Sequence, residues 1–310
     1  MKIAITGATG FIGRPLVSYL ASLGHRSIVL SRSPQRAERM HFPAGTEFAP
    51  TGGIPPCDAV IHLAGESVAG LWTPARRRRI LASRVDSTRR IVEELRGREE
   101  RPHTLLVASA VGYYGDRPGE LLDEDAAPDP QCGFRSEVCR AWEAAASEAE
   151  ALGIRVVRLR LANVMSAEGG FLGAMLPFWR RGACFLLGNP EAAISWISSE
   201  DAVRLIAFAL ESREISGPVN VVSPHAITQR TLVSSVAARL DRKIVGHVPA
   251  WLIRLMLGEF STALLDDQRA VPAAAESAGF RYQHPAWRSC LDHLFGEADA
   301  AARPQGVHSS

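Results

Sequence analysis

The stretch Gly7-Ala8-Thr9-Gly10-Phe11-Ile12-Gly13 constrains this chain more than any other. It follows a short apolar run, Lys2–Thr6, that reads as a buried strand, and it opens a run, Phe11–Leu23, that reads as a helix. In that setting the glycines have separate roles. One permits the tight strand-to-helix turn, one lets backbone approach a pyrophosphate, and one lets the helix pack closely on the sheet. The start of the helix adds unpaired amides and a partial positive charge. The loop therefore predicts a Rossmann-type βαβ unit holding a dinucleotide, with Gly7, Thr9, Gly10, Phe11, Ile12 and Gly13 around the diphosphate.

Beyond the loop, short apolar runs alternate with longer helical patterns. Ser27–Ser31, Asp58–Leu63, Thr104–Ser109 and Ile154–Leu159 read as further strands, and Pro74–Leu95 and Phe134–Leu152 as helices. Continuously apolar strands separated by helices are the mark of a parallel sheet covered on both faces. The rhythm loosens through Gly169–Pro190. Ser199–Leu210 and Val219–Val222 then read as one more helix and strand, and the remainder as short helices with a strand near Lys243–Val248. The expected fold is α/β: a Rossmann-type doubly wound parallel sheet with a smaller C-terminal α+β substrate domain. Residues 1–160 and about 197–225 would form the first domain, 161–196 and 226–296 the second, and 297–310 a disordered tail.

At 310 residues the chain is long enough for a sizeable core, and its formal net charge of +2 favours neither a nucleic-acid nor a membrane-surface role. Four consecutive arginines, Arg76–Arg79, point about 100° apart on a helix and cannot form one stripe, so they read as a solvated face. Five widely spaced cysteines without a CxxC pair suit a reducing compartment. No apolar run approaches membrane-spanning length, and Ile3-Ala4-Ile5 is too short for a signal peptide. The histidines are scattered with no helical ligand pair, so no metal is expected. The cytoplasm is the expected compartment, and a small-molecule substrate and a monomer or homodimer are the expected partners and assembly. For the apolar stretch Val248–Leu257 an apolar lid or a dimer surface competes with plain core packing, and core packing is the favoured reading.

The second strand ends in Ser31, Arg32 and Ser33, with no carboxylate until Glu38. An acidic residue in this region holds the ribose hydroxyls of NAD, whereas a guanidinium flanked by hydroxyls suits the 2′-phosphate of NADP. NADP(H) is the expected cofactor.

Further stretches match a known family. Gly7-x-x-Gly10-x-x-Gly13 resembles the extended short-chain dehydrogenase/reductases. Leu63-Ala64-Gly65-Glu66, Ser109-Ala110-Val111-Gly112-Tyr113-Tyr114-Gly115-Asp116, Val138-Cys139-Arg140-Ala141-Trp142-Glu143 and Ser195-Trp196-Ile197 narrow the resemblance to an atypical subgroup described as nucleoside-diphosphate-sugar epimerases. The resemblance runs from Met1 to about Leu294. It implies that Leu63, Ala64, Gly65 and Glu66 lie along the cofactor, with Arg84 on a helix beside it.

Members of that superfamily use a Ser or Thr with a Tyr and a Lys four residues later. The Lys lowers the Tyr pKa so that the phenol moves a proton while hydride transfers. By the resemblance Ser109 takes the Ser/Thr position beside the cofactor, but Arg135 falls in the Tyr slot and Cys139 in the Lys slot. The chain has only Lys2 and Lys243, and no tyrosine lies four residues before either. Proton transfer would then rest on Tyr113 or Tyr114, with Ser109 holding the same oxygen; packing is the competing role for Tyr114. Cys139 reads as a buried thiol. Two functions remain open: an NADP(H)-dependent epimerase or reductase of a sugar-nucleotide or other polar carbonyl substrate, or a non-catalytic NADP(H)-binding sensor.

Overall fold

A computed structural model describes residues 1–128 and 133–302, with side chains described through residue 296. Its larger lobe contains β1 (Lys2–Thr6), α1 (Gly13–Ser22), β2 (Arg26–Ser31), β3 (Glu47–Pro50), β4 (Ala59–His62), α2 (Pro74–Arg96), β5 (Thr104–Ala110), α3 (Phe134–Ser147) and β6 (Arg155–Leu161). The chain continues through α4 (Gly170–Arg180), α5 (Ser199–Glu211), β7 (Gly217–Val221), α6 (Gln229–Arg239), α7 (Ala250–Leu257) and α8 (Trp287–Ala302). The seven strands form one parallel sheet in the order β7-β6-β5-β4-β1-β2-β3. The direction of winding reverses between β1 and β4. In open α/β sheets the crevice outside the strand ends at that reversal is where ligands bind.

Strand alternation explains the two covered faces. Ile3 and Ile5 of β1 point to one face, where Leu16, Val17 and Leu20 of α1 meet Val203, Ile206 and Leu210 of α5. Ala4 points to the other, beneath Val85, Val92 and Leu95 of α2 and Trp142 and Ala145 of α3. These side chains are buried, each Val, Leu or Ile contributing roughly 1.5–3 kcal/mol. The indole of Trp142 donates to Thr88 Oγ1 at 3.0 Å, satisfying the one polar atom of its own ring system.

The smaller lobe has its own core, in which Leu172, Leu176 and Trp179 of α4 meet Leu232 and Val236 of α6 and Trp287 and Leu291 of α8. Helix α4 lies inside the stretch that reads as irregular. Pro177 costs it a backbone hydrogen bond, but burial of its apolar face outweighs that local penalty. The edge strand β3 is only half-buried and ends at Pro50, so it lacks the apolar run of the inner strands. Core packing of Val248–Leu257 is overturned: within α7 only Ile253 is buried, while Trp251, Leu255 and Met256 are exposed. Helix α8 runs to Ala302 and so enters the segment expected as a disordered tail; residues 303–310 lie outside the described residues.

The four arginines are not uniformly solvated. Arg76 donates to the carbonyls of Ser67 and Ala69, and Arg77 donates to Glu259 Oε2 at 2.8 Å while lying over the Phe134 ring. These two tie α2 to the preceding loop and to the smaller lobe. Among the described residues, no helix is long and apolar enough to cross a membrane.

Candidate functional site

The glycine loop is shaped by close backbone contacts. Gly7 has φ +73°, and a Cβ there would lie 2.6 Å from the Leu63 carbonyl carbon and 2.7 Å from the Ala64 nitrogen. The loops after β1 and β4 thus touch at the switch point, where Leu63 N also donates to Thr6 O at 3.1 Å. A Cβ at Gly13 would come within 2.3 Å of Gly7 O. One at Gly10 would meet only that same oxygen, at 3.1 Å, and Gly10 is exposed. The outer side of the loop is therefore open to an approaching diphosphate, and α1 begins with neither a side-chain cap nor an acidic residue in its first turn. Thr9 is exposed and Ile12 half-buried. The Phe11 ring packs on Gly169 and Gly170 of the smaller lobe, where a Cβ on Gly169 would be 2.6 Å away.

At the end of β2, Ser31 Oγ accepts from Ser33 N at 3.1 Å, which curls the chain around Arg32. Arg32 is exposed, and among the described residues it makes no hydrogen bond or ion pair. Its donors are unspent, as a 2′-phosphate site requires.

After β4, Leu63, Ala64, Gly65 and Glu66 run along the crevice. Glu66 N donates to Ser83 Oγ at 3.0 Å, and its carboxylate lies 3.9 Å from Arg79. Arg84 reaches back from α2. A Cβ on Gly65 would lie 3.2 Å from the Arg84 guanidinium carbon, which sits 5.2 Å from the centre of the Trp142 ring. Burial lowers its pKa, while Cys139 and Glu66 act in the opposite sense. Among the described residues its hydrogen bonds are long ones, at 3.3 Å to Ile80 O and Ser83 Oγ, so several of its N–H groups remain available.

Ser109 and Tyr114 are joined through one buried hydrogen-bond network. Ser109 Oγ donates to Glu143 Oε1 at 2.7 Å, and Ser109 is buried. Arg160 binds both oxygens of that carboxylate, at 2.9 Å each, and donates to the Tyr114 phenol, also at 2.9 Å. The phenol donates to Asn220 Oδ1 at 2.7 Å. Tyr114 is wholly buried, and burial pushes its pKa up to about 12 against the opposing pull of Arg160. Both hydroxyls thus bond within the protein, with side-chain partners for each. Tyr113 is half-buried, with Arg160 stacked 3.7 Å from its ring centre. Cys139 is buried, and burial with Glu143 nearby pushes its thiol up to about 11, so it is an inert packing group.

The residue in the Tyr slot has a different neighbour. Arg135 donates to Thr262 O and to Asp266 Oδ2, both at 2.9 Å. Burial pushes Asp266 up to about 6, against the lowering effect of Arg135. The pair borders a cavity between the lobes that is also lined by Asn163, Ser195 and Gln268. Gln268 is held by the carbonyls of Val111 and Gly115, and Ser195 Oγ donates to Gln268 O at 2.8 Å. Sequence reasoning missed Asp266, Gln268, Glu143 and Arg160. For Arg160 a signal existed, since an arginine facing inward from an otherwise apolar strand demands a buried partner.

The arrangement fits a dinucleotide: an open glycine turn, uncapped helix amides, an exposed arginine after β2 and a second arginine reaching Gly65 from α2. Comparison with known proteins agrees. Residues 3–240 match the model of the NAD dependent epimerase/dehydratase family, and residues 248–294 match a domain of unknown function, DUF1731. The chain is 34% identical to the epimerase family protein YfhF of Bacillus subtilis over 96% of its own length and 99% of that protein. It is 33% identical to the chloroplastic SDR39U1 homolog of Arabidopsis thaliana, over 92% of the chain and 84% of the relative. The crystal structure of human epimerase family protein SDR39U1 with NADPH superposes with a TM-score of 0.85 at 26% identity, covering 96% of this chain and 99% of that one. With its glycine turn at the sheet's switch point and DUF1731 forming part of the second lobe, the chain belongs to the NAD dependent epimerase/dehydratase family, in its SDR39U1-like branch.

Proposed function

We propose that this protein is an NADP(H)-dependent epimerase or reductase of a sugar nucleotide or another polar carbonyl compound, with the Arg135–Asp266 pair replacing the usual tyrosine. The observation that carries this reading is the placement of that pair on the cavity between the lobes. The cofactor supplies or accepts hydride at the nicotinamide. Gly10, Phe11 and Ile12 would hold its diphosphate, Ser31, Arg32 and Ser33 its 2′-phosphate, and Leu63–Glu66 its length. Arg84 brings a cation to the crevice from α2, where the Lys slot on α3 holds only Cys139.

The role of Arg135 is to donate hydrogen bonds to an oxygen on which negative charge develops. Asp266, with its pKa near 6, is the group that gives a proton to that oxygen in reduction and takes it back in oxidation. The cavity is small, about 40 Å³. It has room for the reacting end of a substrate and not for a whole sugar nucleotide.

The test is a screen of sugar nucleotides and small polar carbonyl compounds for NADPH oxidation. With a substrate in hand, Asp266→Asn is expected to cut turnover by roughly 10²-fold while NADPH affinity holds. An ionisation near pH 6 in the wild-type rate profile should vanish in the variant. Unchanged turnover in Asp266→Asn would overturn the assignment. Tight NADPH binding with no oxidation across the screen would instead support the sensor reading, which the burial of the Ser109 and Tyr114 hydroxyls favours.

A further inference from the structure

Three side chains distant in sequence converge at the start of α5. Ser198 caps this helix, its Oγ accepting from Asp201 N at 3.0 Å. Asp201 is wholly buried, and its two oxygens accept from the backbone amides of Gln283 and His284 at 2.8 Å each. Arg204 donates to the same carboxylate at 3.0 Å. This clamp fixes the turn before α8 against the first turn of α5, and so sets His284 beside Glu200.

His284 Nε2 lies 3.1 Å from Glu200 Oε2, and His293 Nε2, from α8, lies 3.6 Å from the same oxygen. The two imidazoles stack with centroids 4.5 Å apart and planes 27° from parallel. One ligand atom from each of the three residues lies within 4.8 Å of the others. Four-coordinate zinc, with bonds of about 2.0–2.1 Å to histidine nitrogen and carboxylate oxygen, sets its ligands roughly 3.3 Å apart. The two separations from Glu200 Oε2, 3.1 and 3.6 Å, bracket that spacing. The stacked rings must tilt apart for both Nε2 lone pairs to meet at one ion. His284 Nδ1 is buried and makes no hydrogen bond, so the polar engagement of this ring is through Nε2, on the cluster side. Glu200 and His293 also border an open groove that reaches Gly10, Phe11 and Arg14, which leaves a position for water on the metal.

We infer that Glu200, His284 and His293 form a binding site for a divalent transition metal, with zinc the ion whose ligand preference they match. No helical His pair announces this site in the sequence, because its ligands come from α5, from the clamped turn and from α8. A metal there fastens α8 to the helix that packs against the dinucleotide loop. It therefore binds the folded chain selectively and raises its melting temperature.

The test is calorimetric titration of the full-length chain, stripped with chelator, using zinc chloride. One ion per chain is expected, with a rise in melting temperature. Glu200→Gln and His293→Gln should each weaken zinc binding by at least roughly tenfold, as expected when a site loses a ligand. Cobalt(II) should give the visible absorption of a four-coordinate ion in the wild type and lose it in both variants. NADPH affinity, measured on the same samples, reports that the variants are folded. Absence of saturable zinc binding, or binding equally strong in both folded variants, would overturn the site.

Discussion

The guanidinium of Arg160 grips the carboxylate of Glu143 at both oxygens, 2.9 Å each, with the two side chains 4% and 8% exposed. Burial pulls the Arg160 pKa down, and the bonds to Glu143 more than reverse this, leaving it raised. Ser109 donates to Glu143 and Tyr114 accepts from Arg160, so both hydroxyls lean on this buried pair. Removing one member of such a pair strands the other in low dielectric. Arg160→Met or Glu143→Gln is therefore expected to destabilise the fold by about 3–5 kcal/mol in urea unfolding. Tyr114→Phe should cost about 1–3 kcal/mol and leave NADPH binding intact. Unaltered stability in Tyr114→Phe, combined with lost turnover, would return that phenol to the reacting end.

The unpaired Arg32 makes cofactor choice a measurable property. NADPH should bind at least about tenfold more tightly than NADH, or about 1.4 kcal/mol, and Arg32→Ala should lose NADPH affinity selectively. Equal affinity of the unmutated protein for the two cofactors would refute the assignment of the 2′-phosphate to Arg32.

Two glycines of the same loop separate binding from folding. A Cβ at Gly10 meets only Gly7 O at 3.1 Å, whereas one at Gly13 meets backbone at 2.3 and 2.6 Å. Gly10→Val is expected to keep the fold and abolish binding of either cofactor, by filling the space of the diphosphate. Gly13→Val is expected to unfold the lobe. Calorimetry on a folded Gly10→Val protein decides the point, and undiminished NADPH binding there contradicts the loop assignment.

His62, at the end of β4, is buried between Thr6 and Ser87, with ring nitrogens 2.5 and 2.9 Å from their hydroxyls. Burial, aided by the charge of Arg84, lowers its pKa from 6.5 to about 4. The unfolded chain then takes up a proton near pH 6.5 that the folded chain refuses until about pH 4. The contribution of His62 is complete above pH 6.5 and is lost as pH falls towards 4, by about 3 kcal/mol in all. Urea midpoints measured from neutral to mildly acidic pH should fall less steeply in His62→Gln; parallel curves would exclude this origin.

The edge strand Glu47–Pro50 is not legible in the chain's residues, whereas the other six of the seven sheet strands, the helices between them and the glycine turn are. Each is written in contiguous residues: apolar runs such as Ala59–His62, the helical pattern of Pro74–Arg96, and Gly7, Gly10 and Gly13 at fixed spacing beside a strand. Residues that touch along the chain leave a periodic trace. Tertiary structure alone decided which side chains meet across it. Helix α4 survives Pro177 because a distant tryptophan-rich core takes its apolar face. Arg135 finds Asp266 131 residues away, and His284 reaches Glu200 84 residues away. Tyr114 follows Ser109 on the same stretch, yet the inward turn of both towards Arg160 and Glu143 is set by a charge buried in β6. Burial and pairing of this kind depend on how the sheet closes against the second lobe, and no local pattern of residues encodes that.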